Sequence, residues 1–342
     1  MTLQVQQLLA SPDIYPQRIE GADIVFVRMS RHSYQQSLFT DNNRIVTAGD
    51  DAWAVPLAEV VNIVEQSGST NPAPAFIFQI AHCGSTLLSR AMDQPGKSLV
   101  IREPFVLRQL AAMAAPDGGD AGRSTPWSRG MASLLFLLGR QYDVAERVLV
   151  KANVPVNFVL SGIHRLSPDL AAIALYSELP DFLVAALKSD ERRRWAQYVC
   201  RELSKGIGAT TGLSGIDTSN LGAAESAAVL WFAQIEQFRA ALAANPEILP
   251  LQSEALFQHP GETLQQCASH LSIEMPAENI DQLVESDLFA RHAKQPERAF
   301  SNDDRLSERE RLRNQYQHEI SEAVDWCKEV GLDENSTLPI GP

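Results

Sequence analysis

The sequence predicts an α/β fold: a doubly wound parallel sheet with flanking helices and a largely helical insertion and carboxyl-terminal part. Three observations carry this expectation. Apolar runs too short for helices recur at residues 75–81 (AFIFQIA), 98–101, 148–150, 171–176 and 248–251, and near-continuous apolar strands are those buried on both faces, as in a parallel sheet. Helix-patterned stretches separate them, which is the alternation of βαβ units. The first run passes directly into a glycine turn and an amphipathic helix, and the ligand crevice of such sheets lies beyond the carboxyl ends of the strands.

In chain order, residues 1–72 read as an amino-terminal lobe packed on the core, with a strand at Asp23–Arg28, polar turns at 40–43 and 48–51, and an apolar-periodic helix over 57–65. Loop formers at 67–72 separate it from the main unit, 73–342. Residues 104–146 are longer than a minimal crossover and contain a glycine-rich turn at 116–122. This insertion is expected to cover the site as a lid, with Phe105 and Trp127 beside an acceptor pocket. From about residue 180 the chain reads as mainly helical, anchored by Trp195, Trp231, Phe232 and Phe238. Residues 306–330 read as one highly charged amphipathic helix ending before Gly331.

Composition excludes several classes. The 342 residues are 45% hydrophobic and 21% charged, ordinary globular usage. With 29 basic against 42 acidic residues the formal charge is −13, so a broad nucleic-acid-binding face is not expected. At physiological salt charges are screened over about 8 Å, so a local basic pocket can still take an anion. No apolar run approaches the roughly 20 residues that span a bilayer. The first twenty residues lack the basic start and long apolar run of a secretory signal, which points to the cytoplasm. Cys83, Cys200, Cys267 and Cys327 lie far apart, with neither disulfide-scaffold nor zinc spacing, and no metal is expected.

The chemistry-bearing motif is HCGSTLLSR at 82–90. A glycine turn feeding a helix leaves backbone N–H groups free, and with the Ser85 and Thr86 hydroxyls they can cradle an anion. A capped helix start with no ligand is the alternative reading. Ser85 stands where the lysine of a Walker motif would follow the glycine. The helix start is expected to lower the Cys83 thiol pKa if that cysteine is reactive; burial as a small hydrophobe is the plainer reading. Glu103, at the end of the second strand, is a candidate general base. Lys151 ends the third strand, where a compact charge suits a phosphate or sulfate oxygen. Arg90 is expected to pair with Asp93, and Arg192, Arg193 and Arg194 to form a solvated helix face.

The strand, HCGSTLLSRAMD and the following VIREP at 100–104 together resemble the P-loop sulfotransferase superfamily, particularly its bacterial sulfotransferase-like branch. The similarity runs from about residue 74 to 300 and takes in VKAN at 150–153, LYSELPDF at 175–182, Trp231, SEAL at 253–256 and His259-Pro260. What the resemblance implies is a P-loop NTPase-like fold and transfer of a sulfuryl group from 3′-phosphoadenosine 5′-phosphosulfate to a hydroxyl or amine of a small-molecule or glycan acceptor. It implies that His82, Cys83, Gly84, Ser85 and Thr86 hold the 5′-phosphosulfate, with Glu103 as base and Lys151 assisting. At His82 the family commonly carries Lys or Arg, and an imidazole replaces that charge only while protonated. At the family's 3′-phosphate Arg and Ser this chain has Ser177 and Ala185. Compensation is sought in Arg165, in the arginine triplet, or in Arg291 and Lys294, whose stretch loosely resembles the family's basic closing loop. Two other functions stay open from the residues: a non-catalytic sulfotransferase-like nucleotide- or partner-binding protein, and an ATP-dependent P-loop phosphotransferase. Oligomeric state is not legible.

Overall fold

A computed structural model describes residues 5–69, 71–114 and 125–332; the glycine-rich turn at 116–122 lies outside them. The strands β1 (Ile14–Glu20), β2 (Asp23–Arg28) and β3 (Ala52–Pro56) form an antiparallel sheet in that order. Then follow β4 (Ala75–Gln79), β5 (Ser98–Arg102), β6 (Arg147–Lys151), β7 (Ala172–Tyr176) and β8 (Leu249–Gln252). They make one parallel sheet ordered β5-β6-β4-β7-β8. A short antiparallel hairpin, β9 (Arg291–His292) and β10 (Gln295–Ala299), comes later.

The fold is thus α/β with a doubly wound parallel sheet. Every residue of β4, β5 and β7 is buried, which is why those strands read as unbroken apolar runs instead of alternating ones. The chain leaves β4 toward β5 on one side and leaves β7 toward β8 on the other, so the switch point lies between β4 and β7. Register aligns the carboxyl edge: Lys151 pairs with Arg102 and with Ile77. The 22-residue helix Ala223–Ala244 packs behind this edge. It buries Trp231, Phe232 and Phe238, each worth about 1.5–3 kcal/mol of apolar burial.

Three expectations are corrected. The described part of the insertion is not a lid: helices Phe105–Ala112 and Pro126–Leu138 are largely buried and pack on β1 and on the helix Leu57–Gln66. Gln109 explains the attachment, because its side-chain amide accepts from Ile19 N at 2.7 Å and donates to Ile19 O at 2.9 Å, extending the edge of β1. Trp127 turns inward and donates to Leu110 O at 2.8 Å. The charged tail is two helices, Asn302–Gln315 and Gln317–Glu329, broken at Tyr316 with neither glycine nor proline to announce it. Its first helix starts at a capping box, Ser301 with Asp304. Among the described residues no helix is long and apolar enough to cross a membrane.

Candidate functional site

The loop between β4 and the helix Ser85–Ala91 is built on one buried amide. Gln79 Oε1 accepts from Ala81 N at 2.7 Å and from Ser85 Oγ at 3.3 Å, while Gln79 Nε2 donates to Ala152 O at 3.2 Å. The loop turns through left-handed conformations at Ala81, His82 and Gly84 (φ 72°, 56° and 84°), costly for the first two. Gly84 is required twice over: a Cβ there would also meet the Phe257 ring at 2.9 Å.

A cavity of about 250 Å³ opens at this loop, on the β4–β7 side of the sheet edge. His82, Gly84, Ser85, Thr86 and Ser177 line it, as do Ala185 and both hairpin residues Arg291 and Lys294. Glu103 and Lys151 stand at the neighbouring strand ends. They form an ion pair, with the Lys151 side chain 1% and the Glu103 side chain 20% exposed. Glu103 has φ 55°, and its N–H donates to Lys151 O at 2.7 Å; this turn past the strand end swings its carboxylate toward Lys151. Lys294 is coupled to both. It lines the cavity and interacts electrostatically with Lys151, Glu103, Arg192 and Arg44. Partial removal from water, together with those cations, lowers its pKa to about 8 despite the opposing pull of Glu103.

His82 is neutral in this environment. Its ring stands edge-on to Trp195 with centroids 5.0 Å apart, and both ring nitrogens are shielded without a hydrogen-bond partner. Burial, reinforced by the positive charges of Arg192, Lys294, Lys188 and Lys151, holds its pKa well below the ordinary imidazole value. A protonated His82 in the family's Lys or Arg role is therefore not the ligand-free state. A histidine held neutral when folded takes up a proton only on unfolding, once pH falls below about 6.5. Stability is then lost toward acid, by at most about 1.4 kcal/mol per pH unit for this group. Urea unfolding followed from neutral to mildly acid pH should fall more gently for His82→Gln than for wild type. Parallel slopes would mean His82 titrates normally.

Cys83 is not activated: burial raises its thiol pKa to about 11, and the thiol donates to Leu175 O at 3.7 Å. The desolvation of a buried thiolate outweighs the helix start. Arg90 does not pair with Asp93. Its Nη1 donates to Ala293 O at 2.8 Å, tying the β9–β10 hairpin to the loop helix, while Asp93 is taken by Arg31 and Arg102.

Arg192 is a lining residue of the cavity instead of a solvated one; its Nη1 donates to Ala185 O at 2.7 Å, whereas Arg193 pairs with Glu319 at 2.6 Å. The first tail helix adds Arg305 and Arg309, which the sequence reading did not single out. Arg305 grips Glu254 at 2.7 and 2.9 Å and lies over Phe257, and Arg309 bridges Asp181 and Glu254 at 2.7 and 2.8 Å. Burial opposes the charge on Glu254, but these guanidiniums outweigh it and hold its pKa below the usual carboxylate range. Lys188 pairs with Glu308. The one available signal was the four-residue spacing of Arg305, Arg309 and Arg313, which puts them on one helix face. Arg291 pairs with Asp287 at 3.0 Å. Among the described residues no group of three or more His, Cys, Asp or Glu is arranged to hold a metal ion.

Fold and site together define a doubly wound α/β protein with a cavity at the glycine loop beside its switch point and a carboxylate–lysine pair next to it. Among solved structures the chain is similar to a sulfotransferase from Alicyclobacillus acidocaldarius, at 14% identity and TM-score 0.40, over 76% of this chain and 96% of that one. It is also similar to a sulfotransferase domain from the curacin biosynthetic pathway, at 15% identity and TM-score 0.39, over 73% of this chain and 99% of that one. A sulfotransferase from Mycobacterium avium is similar at 10% identity and TM-score 0.39, over 76% of this chain and 79% of that one. No family model matches the chain, and no curated protein matches it.

Proposed function

We propose that this chain is a sulfotransferase that takes its sulfuryl group from 3′-phosphoadenosine 5′-phosphosulfate and delivers it to a hydroxyl or amine of a small-molecule or glycan acceptor. The observation that carries the reading is the position of Lys294, whose ammonium faces both the loop cavity and the Glu103–Lys151 pair.

Donor phosphosulfate oxygens fit the N–H groups and hydroxyls at 84–86, where preorganised donors act on charge that builds in the transition state. Among the described residues no ion pair ties Arg192 or Lys294 to a carboxylate, so they are available to a ligand anion; Arg305 and Arg309 line the same cavity but are held by Glu254 and Asp181. Glu103 keeps enough solvent access to take the acceptor proton. As the acceptor oxygen or nitrogen bonds to sulfur, the bond from sulfur to the bridging oxygen breaks. The electron pair stays on the departing phosphate, which Lys151, Lys294 and Arg192 neutralise.

Calorimetry with adenosine 3′,5′-bisphosphate tests the cavity, and transfer from the labelled donor to an acceptor panel tests the reaction. A folded protein that binds neither nucleotide sinks the reading. Lys294 makes the binding pH-dependent with a definite sign: charged below about 8 and neutral above, it supports anion binding on the acid side. Affinity should fall about tenfold across that titration, the worth of one charge-assisted hydrogen bond, with the midpoint displaced upward by the bound anion. Lys294→Met should bind weakly with that limb gone.

A further inference from the structure

We propose that Phe39, in the amino-terminal lobe, is a positioning residue whose ring serves as a shared platform, holding Lys151, Lys294 and Arg44 converged beside Glu103. The lobe outside the parallel sheet thereby completes the anion site. Arg44 Cζ lies 4.1 Å from the ring centroid, Lys151 Nζ 4.8 Å and Lys294 Nζ 5.7 Å, all within the range of cation–π attraction. Phe39 is 1% exposed, yet it belongs to neither apolar cluster of the described residues.

Lys151 and Arg44 each have a carboxylate partner, in Glu103 and Asp41, but the three cations still crowd one ring, and the ring's negative face adds attraction for each without taking its charge. The ring is itself pinned. The next residue, Thr40, donates from N to Arg102 O at 2.6 Å and receives the Tyr15 hydroxyl at 2.9 Å; the Arg102 guanidinium holds Ser37 O at 2.8 Å. These contacts fasten the lobe to the residue immediately before Glu103.

The platform predicts a change in the ionisation of Lys294. The charged groups facing it are Lys151 from β6, Glu103 after β5, Arg192 from the helix Asp190–Glu202 and Arg44 from the lobe, with His82 and His292 also within its field. An aromatic face favours the charged amine, so removing it lowers the Lys294 titration midpoint. The use of the site rests on the sulfotransferase reading; the platform does not.

Competitive acetylation of Lys294 across alkaline pH, read by mass spectrometry on the ligand-free full chain, measures that midpoint directly. In Phe39→Leu it should drop by roughly half a pH unit, with Phe39→Tyr restoring the wild-type value and thermal melting showing both folded. Near neutral pH, Phe39→Leu should also bind adenosine 3′,5′-bisphosphate several-fold more weakly, and Phe39→Tyr should not. Equal midpoints in wild type and a folded Phe39→Leu overturn the proposal; Phe39→Met serves for the same comparison if the leucine variant does not fold. Failure of the wild type to bind the bisphosphate would count against the sulfotransferase reading alone, since the acetylation midpoints still decide the platform.

Discussion

Glu103→Gln is expected to cut sulfuryl transfer by about 10²–10⁴-fold, the range for a positioned general base, with the affinity for adenosine 3′,5′-bisphosphate nearly unchanged. The cavity lining does not include Glu103, and in the proposed mechanism its carboxylate acts on the acceptor and not on the nucleotide. The same change has a structural cost. Lys151 is 1% exposed, and without its partner an ammonium is left buried. Breaking such a pair costs about 3–5 kcal/mol; about 2–3 is expected here, because the amide oxygen still accepts a hydrogen bond and the Phe39 ring remains beneath Lys151. Single-turnover rates and urea unfolding on the same preparation separate the two effects. A folded variant that transfers at the native rate would show that Glu103 serves only as the counter-ion of Lys151.

Arg102→Met is expected to lose about 3–5 kcal/mol of stability, the largest stability effect predicted for a single substitution in this chain. The Arg102 side chain is 2% exposed and binds Asp93 Oδ2 at 3.0 Å. It also donates to the carbonyls of Tyr34, Gln35 and Ser37. Methionine fills a similar volume but removes the donor to those carbonyls and leaves Arg31 to balance the charge of Asp93. Each unsatisfied buried acceptor adds to the loss. Equilibrium unfolding in urea measures it, and an unchanged midpoint would mean that the lobe is held to β5 by apolar packing instead of by this guanidinium.

Local pattern carried far where the determining forces are local. Strands β4, β5 and β7 were legible because fully buried strands leave unbroken apolar runs, and the loop at 82–86 was legible because a glycine turn entering a helix has its own sequence mark. Longer-range features were not. The helix Pro126–Leu138 reads as part of an insertion until β1 and Leu57–Gln66 are seen to accept its apolar face. Arg90 reads as a partner for Asp93 until Ala293, more than two hundred positions away, offers a carbonyl.

By itself the sequence determined the layered α/β architecture, the glycine loop and the strand-end positions of Glu103 and Lys151. Backbone sterics and burial periodicity act over a few residues and leave their record in order. Only the tertiary structure decided which charges meet: that Lys294 lines the cavity within the field of Glu103, that Arg192 lines the cavity, that three cations lie against Phe39, and that burial and nearby cations disfavour a proton on His82. Desolvation and Coulomb interaction depend on distance through space, and the groups that set them come from the amino-terminal lobe, the sheet edge, a middle helix and the late hairpin.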